Sequence, residues 1–424
     1  MSKENKAEGC LHEAYIHLHA TLKNSGHVYI GLSGGVDSVV LLDLIYKIFQ
    51  ENHFDLANLS AIYINHQLQS QADNWQEFCA ALCQKYKINY IPEKIQVKPE
   101  AGESIENFAR KNRYDLFFKH VRPKCDLLLL AHHLDDQAET VLFRLLKGAG
   151  PKGLSGMANL YHYHDRKLLR PLLSISKQAI LDYANKNHLE FIQDPSNDLI
   201  NYDRNFLRNK ILPELATRFG AVNQAIARSA KHYRQQQQAL DYFIGQELNK
   251  IQAEHVSGYD CLDFKLFIQY PDYIQINLIR HWLELHHYQA PTEKKLSQIL
   301  HQLTTAKPDK IPEIKWGENN QYVIRKFQDK IFINKKQALI SNSNFDLSSK
   351  FSEIMLLNNL TIKTRIPGQK IKILNKSHSV SLKNLLQELG VPPWEREKVR
   401  LYFYEEKYLV AVEGYWVADL MQLS

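Results

Sequence analysis

Two spacings of apolar residues alternate along the first half of the chain. Residues 27–32 form a short apolar, β-branched run that reads as a strand, and residues 39–49 then carry apolar side chains at helical spacing. The alternation repeats: residues 59–65, 88–95 and 126–131 read as strands, and residues 71–86, 104–120 and 136–146 as helices. Such alternation predicts an α/β domain, a Rossmann-like parallel sheet with helices on both faces. Ligands of such sheets lie beyond the carboxyl ends of the strands. The residues that follow each strand are therefore where chemistry is expected.

From about Ala221 the pattern changes to helices rich in Gln, Tyr and His, with residues 273–285 and 293–303 amphipathic. Residues 322–327 and 330–334 predict a hairpin across Gln328-Asp329. The polar run Ser341-Asn342-Ser343-Asn344 predicts a linker, beyond which residues 360–365, 401–404 and 408–412 read as strand-like and 381–389 as a helix. The expected division is an α/β domain over residues 1–218, a mainly helical domain over 219–340 and a small α+β domain over 350–424. A length of 424 residues accommodates these.

Composition adds limits. With 44% hydrophobic and 23% charged residues the chain is an ordinary globular one. No apolar run approaches the roughly 18 residues of a membrane helix. The polar opening lacks the apolar segment of a signal peptide, and the five cysteines (Cys10, Cys79, Cys83, Cys125, Cys261) are irregularly spaced, so a cytoplasmic protein without disulfides is expected. The net charge of +7 is uneven: residues 201–240 hold seven Lys/Arg against two Asp/Glu, and residues 361–400 nine against three. Two separated basic segments fit an extended polyanion such as RNA, or else are solvated helix faces.

The first strand runs into Ser33-Gly34-Gly35-Val36-Asp37-Ser38 and then a helix. Two glycines allow a tight turn whose N–H groups converge at a helix start, a place that holds phosphate. It is not a Walker loop, since no Gly-Lys-Ser/Thr follows. The alternative is structural, with Ser33 or Asp37 capping the helix. After the fourth strand comes His132-His133-Leu134-Asp135-Asp136-Gln137-Ala138-Glu139-Thr140. Carboxylates here could hold Mg²⁺ against phosphate or accept a proton from an amine, while Asp136 and Glu139 also have the spacing of a capping box. Arg110 and Arg113 share one side of a helix and could reach an anion, and Arg204, Arg208 and Lys210 form a positive stripe suited to RNA phosphates.

The six-residue loop resembles that of the N-type ATP pyrophosphatases, which cleave ATP between its α- and β-phosphates. Together with Ala109-Arg110, Arg113-Tyr114, residues 132–140, the Gly-rich stretch 147–154, Leu169-Arg170-Pro171-Leu172-Leu173, Asp194-Pro195-Ser196-Asn197, residues 204–208 and the tail motif 389–396, the chain resembles the bacterial tRNA(Ile)-lysidine synthetases. The resemblance implies a C–N ligase acting on the wobble cytidine of a tRNA(Ile) with a CAU anticodon. ATP first adenylates the C2 oxygen, releasing pyrophosphate, and the lysine ε-amine then displaces AMP. It implies ATP and Mg²⁺ as cofactors, L-lysine and tRNA as substrates, and no protein partner.

By the same resemblance Ser33, Gly34, Gly35, Val36, Asp37 and Ser38 bind ATP, with Asp37 toward Mg²⁺, and His66 contacts the adenine. Asp136 or Glu139 takes the lysine ammonium and its proton, Arg113 and His133 stabilise charge, and Arg204, Arg208, Lys210 and Arg396 meet tRNA. A tRNA thiolase of the same superfamily is the rival. It calls for paired Cys-x-x-Cys motifs, whereas Cys79 and Cys83 are spaced Cys-x-x-x-Cys.

Overall fold

The computed structural model describes residues 18–19, 21–65, 72–95, 105–163, 165–194, 203–253, 260–307, 310–335, 354, 358–364, 370–374 and 379–418. His66, the Pro195-Ser196-Asn197 turn and the Ser341–Asn344 linker lie outside them. The chain divides into two compact units, Met1–Gln238 and Ala239–Ser424, and the division falls inside a 30-residue helix, Val222–Ile251.

The first unit is built on strands β1 (Val28–Gly31), β2 (Leu59–Asn65), β3 (Asn89–Lys94), β4 (Leu127–Leu129), β5 (Leu160–Tyr163) and β6 (Arg166–Leu169). They form one sheet in the order β3-β2-β1-β4-β6-β5, parallel except for the edge strand β5. Between the strands run helices α1 (Val36–Glu51), α2 (Ala72–Tyr86), α3 (Ile105–His120) and α4 (Leu134–Leu146). Every residue of β2 is buried, as expected of a parallel strand covered on both faces. One face packs Ile30, Val39, Leu42 and Leu129 into a core, and the other packs Ile62, Phe117 and Leu128. Each such aliphatic side chain contributes roughly 1.5–3 kcal/mol.

Helix α5 (Lys177–Lys186) packs along α1. A helical segment then runs from Asp203–Phe206 through a π-helical turn, Leu207–Ile211, into Leu212–Phe219. The proline at 213 has no N–H for the carbonyl four residues back, which favours the wider turn.

The second unit holds two sheets. Helices Asp272–Leu285 and Glu293–Thr305 and the end of the long helix cover one face of a five-stranded antiparallel sheet, around fully buried Phe267 and Trp282. The predicted hairpin is present, Tyr322–Phe327 paired with Lys330–Lys335, but it belongs to this larger sheet. A further sheet over residues 360–417 packs on helix Leu382–Glu388. No helix of the described residues is long and apolar enough to cross a membrane.

Candidate active site

The carboxyl ends of β1 and β4 meet over one cavity of about 770 Å³. From β1 the chain turns through Gly34, whose φ of +83° and whose approach to Ile192, 2.8 Å from an added Cβ, admit glycine alone. The turn is held by the Ile192 N–H on the Gly34 carbonyl, 2.9 Å, and by the buried Ser38 hydroxyl, which donates to the Gly35 carbonyl at 2.9 Å and accepts from the Ser33 N–H at 3.1 Å. Helix α1 starts at Val36 with Gly35 as its N-cap and no side chain capping it. Neither Ser33 nor Asp37 closes this helix end. Its first N–H groups thus remain available to an anion, strengthened by the helix dipole.

Helix α4 starts two residues before the expected position, at Leu134, because the capping box is shifted by three. His133 is the N-cap: its Nδ1 accepts the Asp135 N–H at 3.2 Å, and the Asp136 carboxylate accepts the His133 N–H at 2.9 Å. Glu139 is thereby released from capping. In the neutral ring this leaves His133 Nε2–H directed toward Asp37, 3.7 Å away, and Asp136, 3.5 Å away. Burial opposes charge on that ring, but Asp135, Asp136 and Asp37 outweigh it and raise its pKa. One imidazole thus links the phosphate-type loop to the carboxylate helix.

Asp135 acts as a clamp. Its carboxylate accepts the Lys177 N–H at 2.7 Å and a bond from Asn223, fixing the start of α5 and of the long helix. Burial pushes its carboxyl up, yet His133, the Lys177 N–H and Asn223 hold it below the usual range.

Glu139 is buried and receives a fork from Arg208: Nε at 2.6 Å and Nη2 at 2.9 Å, with Nη2 also 3.1 Å from Asp136. Paired bonds of this kind orient a carboxylate tightly. Burial still wins at Glu139, whose carboxyl is raised despite the guanidinium. Arg113 lines the same cavity from α3, and Asp194 from the other side.

Two expected tRNA contacts have another setting in the structure. The stripe of Arg204 and Arg208 exists, but it faces α4, with Arg204 5.8 Å over the Phe143 ring and Arg208 on Glu139, because the two helices pack side by side. Of the three residues in that stripe Lys210 alone is exposed. Arg396, expected on the RNA side, is 8% exposed with its Nε donating to the Val391 carbonyl, so it ties a turn inside the second unit. One functional candidate had no sequence signal, Lys177, whose Nζ lies on Asp37; Asp135, read only as one carboxylate of its motif, is a clamp. A lysine after a capping Ser176 looks like any helix start, and only the fold brings it 140 positions back to the loop.

Among the described residues, no cluster of three or more His, Cys, Asp or Glu could hold a metal ion. The loop offers one carboxylate, Asp37. That donor set suits Mg²⁺, which takes one or two carboxylates and fills its shell with phosphate oxygens and water.

A family model described as a PP-loop domain matches residues 7–215, a TilS substrate binding domain matches 262–332, and a TilS substrate C-terminal domain matches 360–424. The tRNA(Ile)-lysidine synthase of Haemophilus ducreyi is 36% identical over 412 residues, covering 90% of this chain and 92% of that protein. That of Haemophilus influenzae strain PittGG is 34% identical over 418 residues, covering 92% and 95%. That of Proteus mirabilis is 30% identical over 413 residues, covering 92% and 91%. Among solved structures, a U34-tRNA thiolase from Methanococcus maripaludis aligns with a TM-score of 0.43 at 23% identity, over 53% of this chain and 80% of that one, a likeness that carries nothing about function. With relatives of this identity matched along almost their whole length, and with substrate-domain models matched in the second half, the chain belongs to the tRNA(Ile)-lysidine synthase family.

Proposed function

We propose that the chain ligates L-lysine to C2 of the wobble cytidine in the CAU anticodon of tRNA(Ile), with ATP converted to AMP and pyrophosphate, in the cytoplasm. The observation that carries the reading is the single cavity in which an uncapped helix start, Asp37, His133, Asp136 and the Glu139–Arg208 pair face one another. One end is suited to phosphate and the other to an ammonium. Adenylation followed by amine attack needs both.

The cytosine C2 oxygen attacks the α-phosphorus of ATP and pyrophosphate leaves. The N–H groups at the start of α1 and the Ser33 hydroxyl receive the departing charge, while the Ser38 hydroxyl, given to the Gly35 carbonyl, holds the loop in shape. Mg²⁺, held by Asp37, supplies further charge neutralisation when bound. The lysine ε-amine then attacks C2, and AMP leaves with the former C2 oxygen.

An ammonium is not a nucleophile, so its proton must pass to a base. Asp136 is the group we assign to this, because it is less buried than Glu139, whose two oxygens both go to the Arg208 guanidinium. Glu139 and Arg208 position it. To Arg113 and His133 we assign the stabilisation of charge on the phosphate or the adenylated base. The two later domains expected from the sequence, residues 219–340 and 350–424, position the tRNA.

The thiolase reading loses its cysteines. Cys79 and Cys83 are buried on α2, and burial pushes both thiols up to about 12, away from reactive thiolate.

The test is incorporation of labelled lysine, with ATP and Mg²⁺, into a tRNA(Ile) transcript bearing CAU, beside a methionine tRNA with the same anticodon. Alkali-stable label in the isoleucine tRNA alone is expected. Pyrophosphate release without lysine incorporation would overturn the choice of nucleophile.

A further inference from the structure

A second cavity, of about 430 Å³, is lined by Arg110, Lys111, Arg144 and Arg170 and by Tyr114 and Tyr161. It shares a wall with the first, since α3 gives Arg113 to one and Arg110 and Tyr114 to the other. Four cations line it against a single carboxylate, the exposed Asp115.

The guanidinium contacts are with neutral groups. Arg144 donates to the carbonyls of Gly153 and Gly156 at 2.9 and 3.1 Å. Arg170 donates to the Ala158 carbonyl at 2.9 Å and the Tyr114 hydroxyl at 3.2 Å. Arg110 lies 5.3 Å over the Tyr114 ring. Arg170 is only 5% exposed, yet its Nε has no partner among the described residues. Charge is therefore concentrated and hydrogen-bonded but not neutralised. The field is felt nearby: burial alone would raise the Tyr114 hydroxyl, but Arg170, Arg110 and Arg113 bring it below its ordinary value.

Assembling like charges in a half-buried hollow costs free energy that an anionic ligand would recover. The rim indicates what kind of anion. Tyr161, 44% exposed, and Tyr163 two residues on share one face of the edge strand and both line the cavity, which makes an aromatic ledge beside the cations. A ledge with a basic hollow fits a nucleotide of single-stranded RNA, its base stacked and its phosphodiester in the hollow.

We propose that this cavity holds the nucleotide adjacent to the cytidine that enters the first cavity, the phosphodiester lying among Arg110, Arg144 and Arg170 and the base against Tyr161. The inference rests on the tRNA reading above. It gives the enzyme a second grip beside the reacting base, on the first unit itself.

The test uses the full chain and a fluorescently labelled anticodon stem-loop RNA. Tyr161→Ala and Arg110→Gln, singly and together, are compared with wild type, with ATP affinity measured in parallel. Each single variant is expected to weaken RNA binding by about tenfold, the stacking change being insensitive to salt and the arginine change reducing the salt slope by roughly 0.7 to 0.9. ATP affinity should stay within about twofold, since neither Arg110 nor Tyr161 lines the first cavity. Unchanged RNA affinity in both variants overturns the proposal, as does an equal loss of ATP affinity, which would assign the hollow to the nucleotide triphosphate. Failure of the wild type to bind the stem-loop would instead remove the tRNA reading on which the proposal depends.

Discussion

The ammonium of Lys177 contacts both oxygens of the Asp37 carboxylate, at 2.7 and 2.8 Å. A lysine from α5 thus covers the carboxylate assigned to Mg²⁺. Lys177→Met should expose it and tighten Mn²⁺ binding a few-fold, in keeping with the ~0.2–1 kcal/mol of a partly exposed ion pair. Electron paramagnetic resonance of bound Mn²⁺ measures this directly. Weaker Mn²⁺ binding in the variant would mean that Lys177 orients Asp37 for metal instead of covering it.

Removing Arg208 leaves Glu139 buried without its partner. Arg208→Ala should cost about 1–3 kcal/mol at neutral pH, less than a fully buried pair because the guanidinium is partly exposed. Glu139 already has a folded-state pKa above its ordinary value, and in the variant it rises further. A raised carboxyl binds its proton more tightly in the folded chain, so the penalty is small below the ordinary value of 4.5 and grows as pH rises through the folded pKa. Denaturant titrations of wild type and variant across this range check the sign. A deficit that grows toward acid would refute it.

His132 is held well below its ordinary 6.5 by burial first and then by Arg170, Arg113 and Arg110. As pH falls through 6.5 the unfolded chain takes the proton first, so its stabilising contribution is present above 6.5 and is lost toward the folded pKa. His132→Phe lacks this term. The stability of wild type relative to the variant should therefore shrink between about pH 7.5 and pH 5.5, measured by thermal melts. A constant difference would show that the imidazole does not titrate with unfolding.

Asp136→Asn keeps an oxygen for the His133 N–H and loses the charge. Lysine KM should rise and turnover fall by about 10²–10⁴-fold, the usual contribution of a positioned base. RNA-dependent pyrophosphate release should survive, because adenylation does not use this group. Unaltered lysine KM and turnover would exclude Asp136 as the amine's partner.

How far the sequence could be read varied with the distance over which contacts act. The loop at residues 33–38 was legible because strand, glycines and helix are adjacent, and so was the order of strands and helices in the first unit. His133 and Asp136 were legible as candidates, but the start of α4 was displaced because a histidine cap competes with the more familiar Asp136 cap. Lys177 on Asp37 and Arg208 on Glu139 were out of reach, since they join positions 140 and 69 apart. The setting of Arg396, expected at tRNA by resemblance, was not legible either, for a basic residue reads the same on a surface as on a buried carbonyl.

The π-helical turn at Leu207–Ile211 joins two contacts made by neighbouring stretches of one helix: Arg208 grips Glu139, while Leu212 packs with Ala138 and Val222. Between the two the helix carries a wider turn, which accommodates one more residue than a regular coil would. Deleting a single residue there would close the wide turn to a regular one and leave the downstream helix on nearly the same face. The grip on the carboxylate and the apolar seat would both survive the loss of an outward-facing residue. The length of the segment therefore has slack where the identities of Arg208 and Leu212 have none.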